Sequence, residues 1–174
     1  MEFRRLSTGD NDLYEKAMDL YKISFPLHEQ RESDSQLRIM GNKEYHFNLI
    51  YDETIWVGLM LCWETKDFIY VEHFCILPQM RNKKYGQKAL ELLNTAGKTV
   101  ILEIDPPTED MSLHRKMFYE RAGYQANTFA HVHPPYRKAF EGHSLVVMSC
   151  PERLSEKEYH SFNEYLCDVV MGDI

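Results

Sequence analysis

The feature that most constrains the fold is a strand, a basic turn and a helix in direct succession. Residues 68–77 are rich in β-branched and aromatic side chains, which is typical of a strand. Pro78 ends this strand, because proline has no N–H to offer a ladder. Beyond it, one apolar stripe recurs at helical spacing, formed by Tyr85, Ala89, Leu92, Leu93 and Ala96. The pattern predicts a helix that starts directly after the turn.

The turn before this helix is suited to binding an anion. It contains Arg81, Lys83 and Lys84, and it leads into a helix whose first N–H groups have no partner within the helix. These groups carry partial positive charge, so phosphate is their usual guest. The sequence therefore predicts a phosphate-binding turn.

The flanking segments predict a mixed sheet. Residues 99–104 (TVILEI) are nearly all apolar, as expected of a buried parallel strand, so strand, helix and strand make one right-handed βαβ crossover. Residues 45–51 and 54–64 predict an antiparallel meander before it, with Gly58 marking a bulge or a close approach. Further strands are predicted at 1–6, 124–132 and 145–149, and helices at 10–25, 37–40, 111–122 and 154–171. Ser155 and Glu158 form a capping box for the last helix.

Length and composition predict one globular domain over residues 1–174. Of the 174 residues, 44% are hydrophobic and 13% aromatic, and no repeat or low-complexity segment marks a boundary. The net charge of −7 argues against nucleic acid as a partner, because binding to backbone phosphates needs a basic surface. We find no signal-peptide pattern and no apolar run long enough for a bilayer, so we expect a cytoplasmic protein without a membrane partner.

Neither the cysteines nor the histidines predict a metal site. The cysteines are spread out as Cys62, Cys75, Cys150 and Cys167, and we expect buried, reduced thiols. His131 and His133 would face the same side of a strand, but two histidines without a third ligand are poor evidence for a metal. For the segment from His131 to Tyr136 we expect plain surface or a loop that lines a substrate pocket.

The strand–turn–helix resembles the acetyl-CoA-binding motif of the GNAT superfamily, the Gcn5-related N-acetyltransferases. The motif here is FCILPQMRNKKYGQKAL, in which Pro78, Arg81, Gly86, Ala89 and Leu90 match the family pattern. Asn82 and Lys84 stand where the family commonly has glycine. The backbone N–H groups are kept, but lysine tolerates a positive φ poorly, so the loop conformation is a point for the structure to decide.

The resemblance implies acetyl-CoA as co-substrate and assigns it to two segments. The backbone of Phe74, Cys75 and Ile76 would pair with the pantetheine arm. The pyrophosphate would lie against the turn formed by Arg81, Asn82, Lys83, Lys84, Tyr85 and Gly86. Cys75 is then expected to be a packing residue rather than a nucleophile, because no neighbouring base supports that role.

A second motif, MSLHRKMFYERAGY, resembles a GNAT helix of the pattern Asn-x-x-Ala-x-x-x-Tyr-x-x-x-Gly-Phe. Ser112 takes the Asn position, Arg115 takes the Ala position, and Tyr119, Gly123 and Tyr124 are in register. We therefore expect Ser112 to contact the cofactor.

Helical spacing places Ser112, Arg115 and Tyr119 on one face of that helix, which we expect to look into a cleft. The side chains of Leu113, Met117 and Phe118 would pack on the other side. Without the family match, Tyr119 would be interpreted as an amphipathic residue at the edge of the core.

Acyl transfer from a thioester to an amine requires a base, an oxyanion donor and a proton for the leaving thiolate. A tyrosine with an ordinary pKa of about 10 stays protonated near pH 7, so Tyr119 is the candidate acid. Glu103 and Glu72 are the candidate bases, since burial raises the pKa of a carboxyl, and a water relay to either is the alternative. The apolar neighbours of Glu103 favour it.

The sequence thus predicts a GNAT-like α/β (α+β) fold, with a mixed, mostly antiparallel central sheet, flanking helices and one βαβ crossover carrying the CoA site. The resemblance implies N-acetyl transfer to a primary amine of a small molecule or an amino-acid-like acceptor, by a monomer or homodimer. Acetylation of protein N-termini or lysines is one alternative. A non-enzymatic acyl-CoA sensor is another, motivated by the missing glycine.

Near the acceptor site, Glu29 and Arg31 are expected to be solvated surface or substrate contacts.

Overall fold

The computed structural model describes residues 1–6 and 11–174. Its strands are β1 (Glu2–Arg5), β2 (Tyr45–Asp52), β3 (Ile55–Glu64), β4 (Phe68–Ile76), β5 (Thr99–Ile104), β6 (Gln125–Ala126), β7 (His131–His133) and β8 (His143–Cys150). Its helices are α1 (Asn11–Ser24), α2 (Ser33–Ile39), α3 (Tyr85–Asn94), α4 (Asp110–Arg121) and α5 (Glu156–Tyr165). A π-helical turn, Leu166–Val170, continues α5. Asp10, the predicted start of the first helix, lies outside the described residues.

The strands form a mixed sheet in the order β1-β2-β3-β4-β5-β8-β6, and β7 also pairs with β8. β4 and β5, which α3 connects, run parallel. Every other pairing among the described strands is antiparallel. The predicted fold, a mostly antiparallel sheet with one βαβ crossover, is confirmed.

The sheet splits at its centre, where β4 and β5 part. Their pairing runs from Phe68 opposite Thr99 to Val71 opposite Leu102 and then stops, although both strands continue. Glu72 is an extra residue of β4 at this point, because the register against β3 shifts there. Such a bulge bends a strand and redirects its side chains. The ends of β4 and β5 therefore diverge and leave a cleft between them.

Helices cover both faces of the sheet and bury its two sets of alternating side chains. α1, α2 and α5 pack on one face through residues such as Tyr21, Ile39 and Phe162. α3 packs on the other face through Ala89, Leu90 and Leu93. Two of these side chains, Ala89 and Leu93, belong to the apolar stripe from which α3 was predicted.

Two local predictions for the meander and the last helix are confirmed. The capping box at α5 forms, with the Glu158 N–H donating to Ser155 Oγ at 3.3 Å and the Ser155 N–H donating to Glu158 Oε2 at 2.8 Å. Gly58 lies next to a bulge in β3, and a Cβ there would come within 2.3 Å of the Cys75 carbonyl oxygen. A glycine is required there because the neighbouring backbone fills the space.

The strand predicted over residues 124–132 is instead two short pieces, β6 and β7. Asn127 interrupts the ladder, because its amide side chain donates to the Ser149 hydroxyl and accepts from the Leu154 N–H. Such local side-chain bonds compete with sheet pairing. Within the residues that the structure describes, no helix has the length and apolar character needed to cross a membrane.

Candidate active site

A cleft of two adjoining cavities follows the divergence of β4 and β5. One cavity, of about 610 Å³, extends from the ends of these strands towards the loops that follow α1 and β7. The other, of about 720 Å³, lies between the start of α3 and α4. Seven side chains border both, namely Phe74, Cys75, Ile76, Arg81, Met111, Arg115 and Tyr119. The two cavities therefore form one cleft, long enough for an extended ligand to pass from one to the other.

The turn before α3 adopts the conformation that glycine usually supplies. Asn82 has φ 61° and Lys84 has φ 62°, both in the left-handed region. A residue with a Cβ is less stable there by roughly 1–2 kcal/mol, although asparagine tolerates the region better. The two residues that replace family glycines thus keep a glycine-like backbone, which answers the question left by the sequence.

This turn borders the larger cavity. Five of the six residues predicted to hold a pyrophosphate line it, namely Arg81, Asn82, Lys84, Tyr85 and Gly86. Lys83 does not line it, and its ammonium lies 3.9 Å from Met80 Sδ. Because Tyr85 and Gly86 begin α3, the positive end of that helix faces the cavity.

The outer part of β4 leaves one edge open towards the cleft. Phe74, Cys75 and Ile76 pair with β3, whereas the pairing with β5 has already ended at Val71. A strand with a partner on one side only presents free N–H and C=O groups on the other. Burial raises the pKa of the Cys75 thiol to about 11, so this cysteine stays protonated, as a packing residue would.

Tyr119 of α4 borders both cavities. Desolvation raises the pKa of its phenol to about 12, and the charge of Arg115 only partly opposes this shift. Among the described residues its hydroxyl has no hydrogen-bond partner. A protonated and unengaged hydroxyl therefore faces the junction of the two cavities.

The rest of α4 differs from the prediction. Ser112 lines neither cavity, and its hydroxyl donates to the Glu109 carbonyl at 2.9 Å in the helix cap. Its contact with a cofactor stays a prediction. Leu113 and Met117 were predicted to pack, and this is wrong, since 43% and 49% of them are exposed. Phe118, the third side chain of this prediction, does pack against the core.

Glu103, at the end of β5, is buried in a network of hydrogen bonds. Its carboxylate accepts from the Tyr70 hydroxyl and is bonded to His131 Nε2, and His133 Nε2 lies 3.8 Å from Oε2. Burial alone would raise the pKa of this carboxyl, but the two histidines and Tyr70 hold it below its ordinary value. The raised pKa expected from the sequence is therefore wrong for Glu103, and its role as a base stays a prediction.

Glu72, on β4, also belongs to the lining of the smaller cavity. Its carboxylate is fully buried and accepts from Arg31 Nε at 2.8 Å and from Trp63 Nε1 at 2.7 Å. Desolvation is outweighed by the charge of Arg31, so its pKa is lowered. The raised pKa is wrong here too, because a cation lies against the carboxylate. Its part in catalysis also stays a prediction.

Arg31 is buried, which contradicts its expected surface position. It is 2% exposed, and besides Glu72 it donates to Asp173 Oδ1 at 3.0 Å and to the Val170 carbonyl oxygen. Glu29 lines the smaller cavity, and its contact with a substrate stays a prediction. Desolvation and the nearby Asp105 raise the pKa of its carboxyl.

Three side chains of the smaller cavity were missed or undervalued by sequence reasoning. His73, His133 and Tyr136 line the smaller cavity, and all three are buried. The alternation of His131, exposed Val132 and His133 was the available signal that both histidines face inward. A plain surface position for this segment is therefore wrong. Within the described residues, no group of three or more His, Cys, Asp or Glu side chains could hold a metal ion.

Comparisons with known proteins place these observations in a family. No family model matches the sequence, and no curated protein matches it. A solved structure from Bacteroides thetaiotaomicron, assigned to the GNAT family of acetyltransferases, is 29% identical and covers 99% of both chains with a TM-score of 0.93.

More distant structures share the fold. An aminoglycoside 6'-N-acetyltransferase complexed with coenzyme A is 15% identical, with a TM-score of 0.60 over 90% of this chain and 100% of that one. The ribosomal-protein-S18-alanine N-acetyltransferase from Escherichia coli is also 15% identical, with a TM-score of 0.59 over 89% of this chain and 96% of that one.

Proposed function

The chain belongs to the GNAT superfamily of acetyltransferases, and on this basis we propose that it transfers the acetyl group of acetyl-CoA to a primary amine. The acceptor is a small molecule or an amino-acid-like compound. The observation that carries the proposal is the continuous cleft between the diverging ends of β4 and β5, with a phosphate-type turn at one end. We take residues 1–174 as one acetyltransferase domain.

The larger cavity suits the coenzyme. The amides at the start of α3 and the basic residues Arg81 and Lys84 favour the pyrophosphate, and the open edge of β4 offers backbone groups to the pantetheine amides. A neighbour with 15% identity is complexed with coenzyme A, and another with 13% identity carries acetyl-CoA, which supports the assignment through the shared fold.

Tyr119 is positioned for the leaving group. Its hydroxyl has no partner among the described residues and borders the junction of the two cavities, where an extended coenzyme would deliver its sulphur. A phenol with a pKa of about 12 remains protonated at neutral pH, so it can donate to a departing thiolate. The acceptor amine would approach from the smaller cavity, on the side of Glu103.

The smaller cavity supports a small acceptor. Its volume of about 610 Å³ falls within the range typical of small-molecule sites. The carboxylate of Glu29 lines it and has no partner closer than His28 at 3.6 Å among the described residues. An unneutralised carboxylate at the mouth of the pocket favours a cationic ligand, which an amine is at neutral pH.

The sensor alternative has lost its motivation. It rested on lysine in place of a family glycine, and Lys84 adopts the left-handed conformation that this position requires.

Calorimetry and thiol release together test the proposal. Acetyl-CoA should bind to the protein, and free thiol should appear only when an amine is present. A suitable panel contains kanamycin, 2-phenylethylamine, an amino-acid amide, and two peptides, one with a free N-terminal alanine and one with an internal lysine. Turnover of the small amines supports the proposal, whereas turnover of the peptides alone would support the protein acetyltransferase. No binding at millimolar acetyl-CoA, or binding without thiol release for any amine, would contradict it.

A further inference from the structure

We propose that His133 removes the proton from the acceptor ammonium and that Glu103 holds the charge of the imidazolium so formed. The inference rests on the proposed N-acetyl transfer and assigns its base. In this assignment Glu103 acts through His133 and is a positioning residue. Tyr119 remains the acid.

The first observation is the tautomer of His133. Its Nδ1 lies 2.6 Å from the Pro134 carbonyl oxygen. A carbonyl only accepts hydrogen bonds, so Nδ1 carries the proton in the neutral ring and Nε2 keeps a lone pair. The ring is 1% exposed and stacks on Tyr136, with centroids 4.8 Å apart. The orientation of Nε2 is therefore fixed before any substrate arrives.

The second observation is that His133 Nε2 has no hydrogen-bond partner among the described residues, although it is buried. A buried polar atom without a partner is unfavourable and requires an explanation. The side chain borders the smaller cavity, where an acceptor ammonium would supply the missing donor. Glu103 Oε2, 3.8 Å from Nε2, would then stabilise the ring after it takes up the proton.

The other candidate bases are already occupied. Glu103 is engaged by Tyr70 and His131, and its carboxylate keeps a lowered pKa. Both nitrogens of His131 are used, Nδ1 by the Tyr159 hydroxyl at 3.0 Å and Nε2 by Glu103. The carboxylate of Glu72 accepts hydrogen bonds from Arg31 and Trp63.

His73 is the nearest rival, because its Nδ1 also lacks a partner and it lines the same cavity. Its closest carboxylate, Glu72, is 4.0 Å away and is already neutralised by Arg31. A proton on His73 would therefore gain little from Glu72, and the charge of the nearby Arg31 guanidinium would oppose it. Desolvation lowers the pKa of His73, so this ring stays neutral.

Five titratable side chains face His133, and each comes from a different neighbouring segment. They are Glu103 from β5, Glu29 from the turn after α1, His73 from β4, His143 from β8, and the phenol of Tyr136 from the loop after β7. Two of these groups are carboxylates, and the pKa values of both His73 and His143 are lowered. A proton on His133 would thus lie near two carboxylates, Glu103 and Glu29.

The ammonium gives one proton to Nε2 and becomes an amine, whose nitrogen attacks the thioester carbon and forms the C–N bond. The C–S bond breaks, and the second nitrogen proton reaches the sulphur by way of the Tyr119 hydroxyl. The products are the amide, free thiol and one proton, which leaves the imidazolium for solvent.

The test compares His133→Asn with His73→Asn, using the panel amine that the intact protein turns over fastest. Asparagine retains a donor for the Pro134 carbonyl but removes Nε2. We expect turnover at neutral pH to fall about 10²–10⁴-fold in the His133 variant. The rate should recover as the pH rises towards the pKa of the amine itself, because the amine then loses its proton unaided. The His73 variant should keep the acid limb of the wild-type pH profile.

A second probe separates deprotonation from structural damage. 2,2,2-Trifluoroethylamine is largely neutral at pH 7, so the loss in His133→Asn should be much smaller with it than with ethylamine. Calorimetric binding of acetyl-CoA should be unchanged. If His133→Asn does not fold, His133→Gln replaces it, since an amide at the Nε2 position is not a base.

The outcomes are distinct. An unchanged pH profile in His133→Asn, loss of the acid limb in His73→Asn instead, or an equal loss with both amines would overturn the assignment while leaving the acetyltransferase intact. Absence of amine-dependent thiol release from the intact protein would contradict the proposed function, and this inference with it.

Discussion

At the scale of single residues, the two glutamates near the split in the sheet show how burial and pairing oppose one another. Glu103 lies among tyrosine and histidine side chains, whereas Glu72 lies against a guanidinium. Desolvation raises the pKa of each carboxyl and its partners lower it by more. Both are therefore anions at neutral pH, and they differ in whether another group can still use their charge.

Removing the Tyr119 hydroxyl should slow the chemical step. In Tyr119→Phe we expect kcat to fall about 10²-fold or more, because the thiolate then leaves without a positioned proton. Binding of acetyl-CoA, measured by calorimetry, should change little, since no hydrogen bond of the described residues depends on this hydroxyl. A variant with wild-type turnover across the pH range would remove Tyr119 from the role of acid.

Removing the guanidinium of Arg31 should destabilise the protein strongly. Arg31→Met leaves the Glu72 carboxylate buried without its cation, which typically costs about 3–5 kcal/mol. Denaturant unfolding measures this loss. Adding Glu72→Gln to the same chain should restore part of it, because the uncompensated charge is gone. A loss below about 1 kcal/mol in the single variant would contradict a buried ion pair.

At the scale of the secondary-structure elements, the turn before α3 holds backbone strain that a substitution can relieve. Lys84→Gly should stabilise the protein by roughly 0.5–1 kcal/mol. Removal of the Cβ relieves the strain of the left-handed backbone, and the added flexibility of glycine in the unfolded chain offsets part of that gain.

Lys83→Gly is the matched control for this substitution. It removes the same charge from the same turn, but its φ is not positive, so it should be neutral or destabilising. Thermal unfolding compares the two variants. If Lys83→Gly stabilises as much as Lys84→Gly, the effect comes from charge and not from backbone strain.

At the scale of the whole molecule, buried ionisable groups on both sides of the cleft predict a loss of stability in acid. The pKa of His73 is lowered from its ordinary value of 6.5, and the pKa values of Glu72 and Glu103 are lowered from 4.5. In each case the unfolded chain binds protons more readily than the folded protein. Stability is then complete above the unfolded pKa and falls as the pH drops.

We expect Tm to decline in two stages, first below about pH 6.5 and more steeply below about pH 4.5. His73→Phe should remove much of the first stage, while the half-exposed His46 and His143 contribute a remainder. Calorimetric scans between pH 8 and pH 4 measure both stages. A Tm that stays constant down to pH 5 would contradict the buried neutral state of His73.

Features that arise within a few residues of one another could be predicted from the amino-acid sequence. The phosphate-type turn, the crossover around α3 and the capping box of α5 depend on local chemistry, namely proline, helical periodicity and side chains that bond their own backbone. These signals are short-range, so a single stretch of chain contains all of them.

The burial and pairing of the polar side chains, in contrast, could be learned from the folded chain alone. Arg31 meets Glu72 and Asp173, which are 41 and 142 residues away, and nothing near Arg31 in the sequence distinguishes it from a surface arginine. The free nitrogen of His133 likewise depends on β5 and the loop after β7 coming together. Burial and pKa follow from distances in space, and the folded chain brings together groups that the sequence keeps far apart.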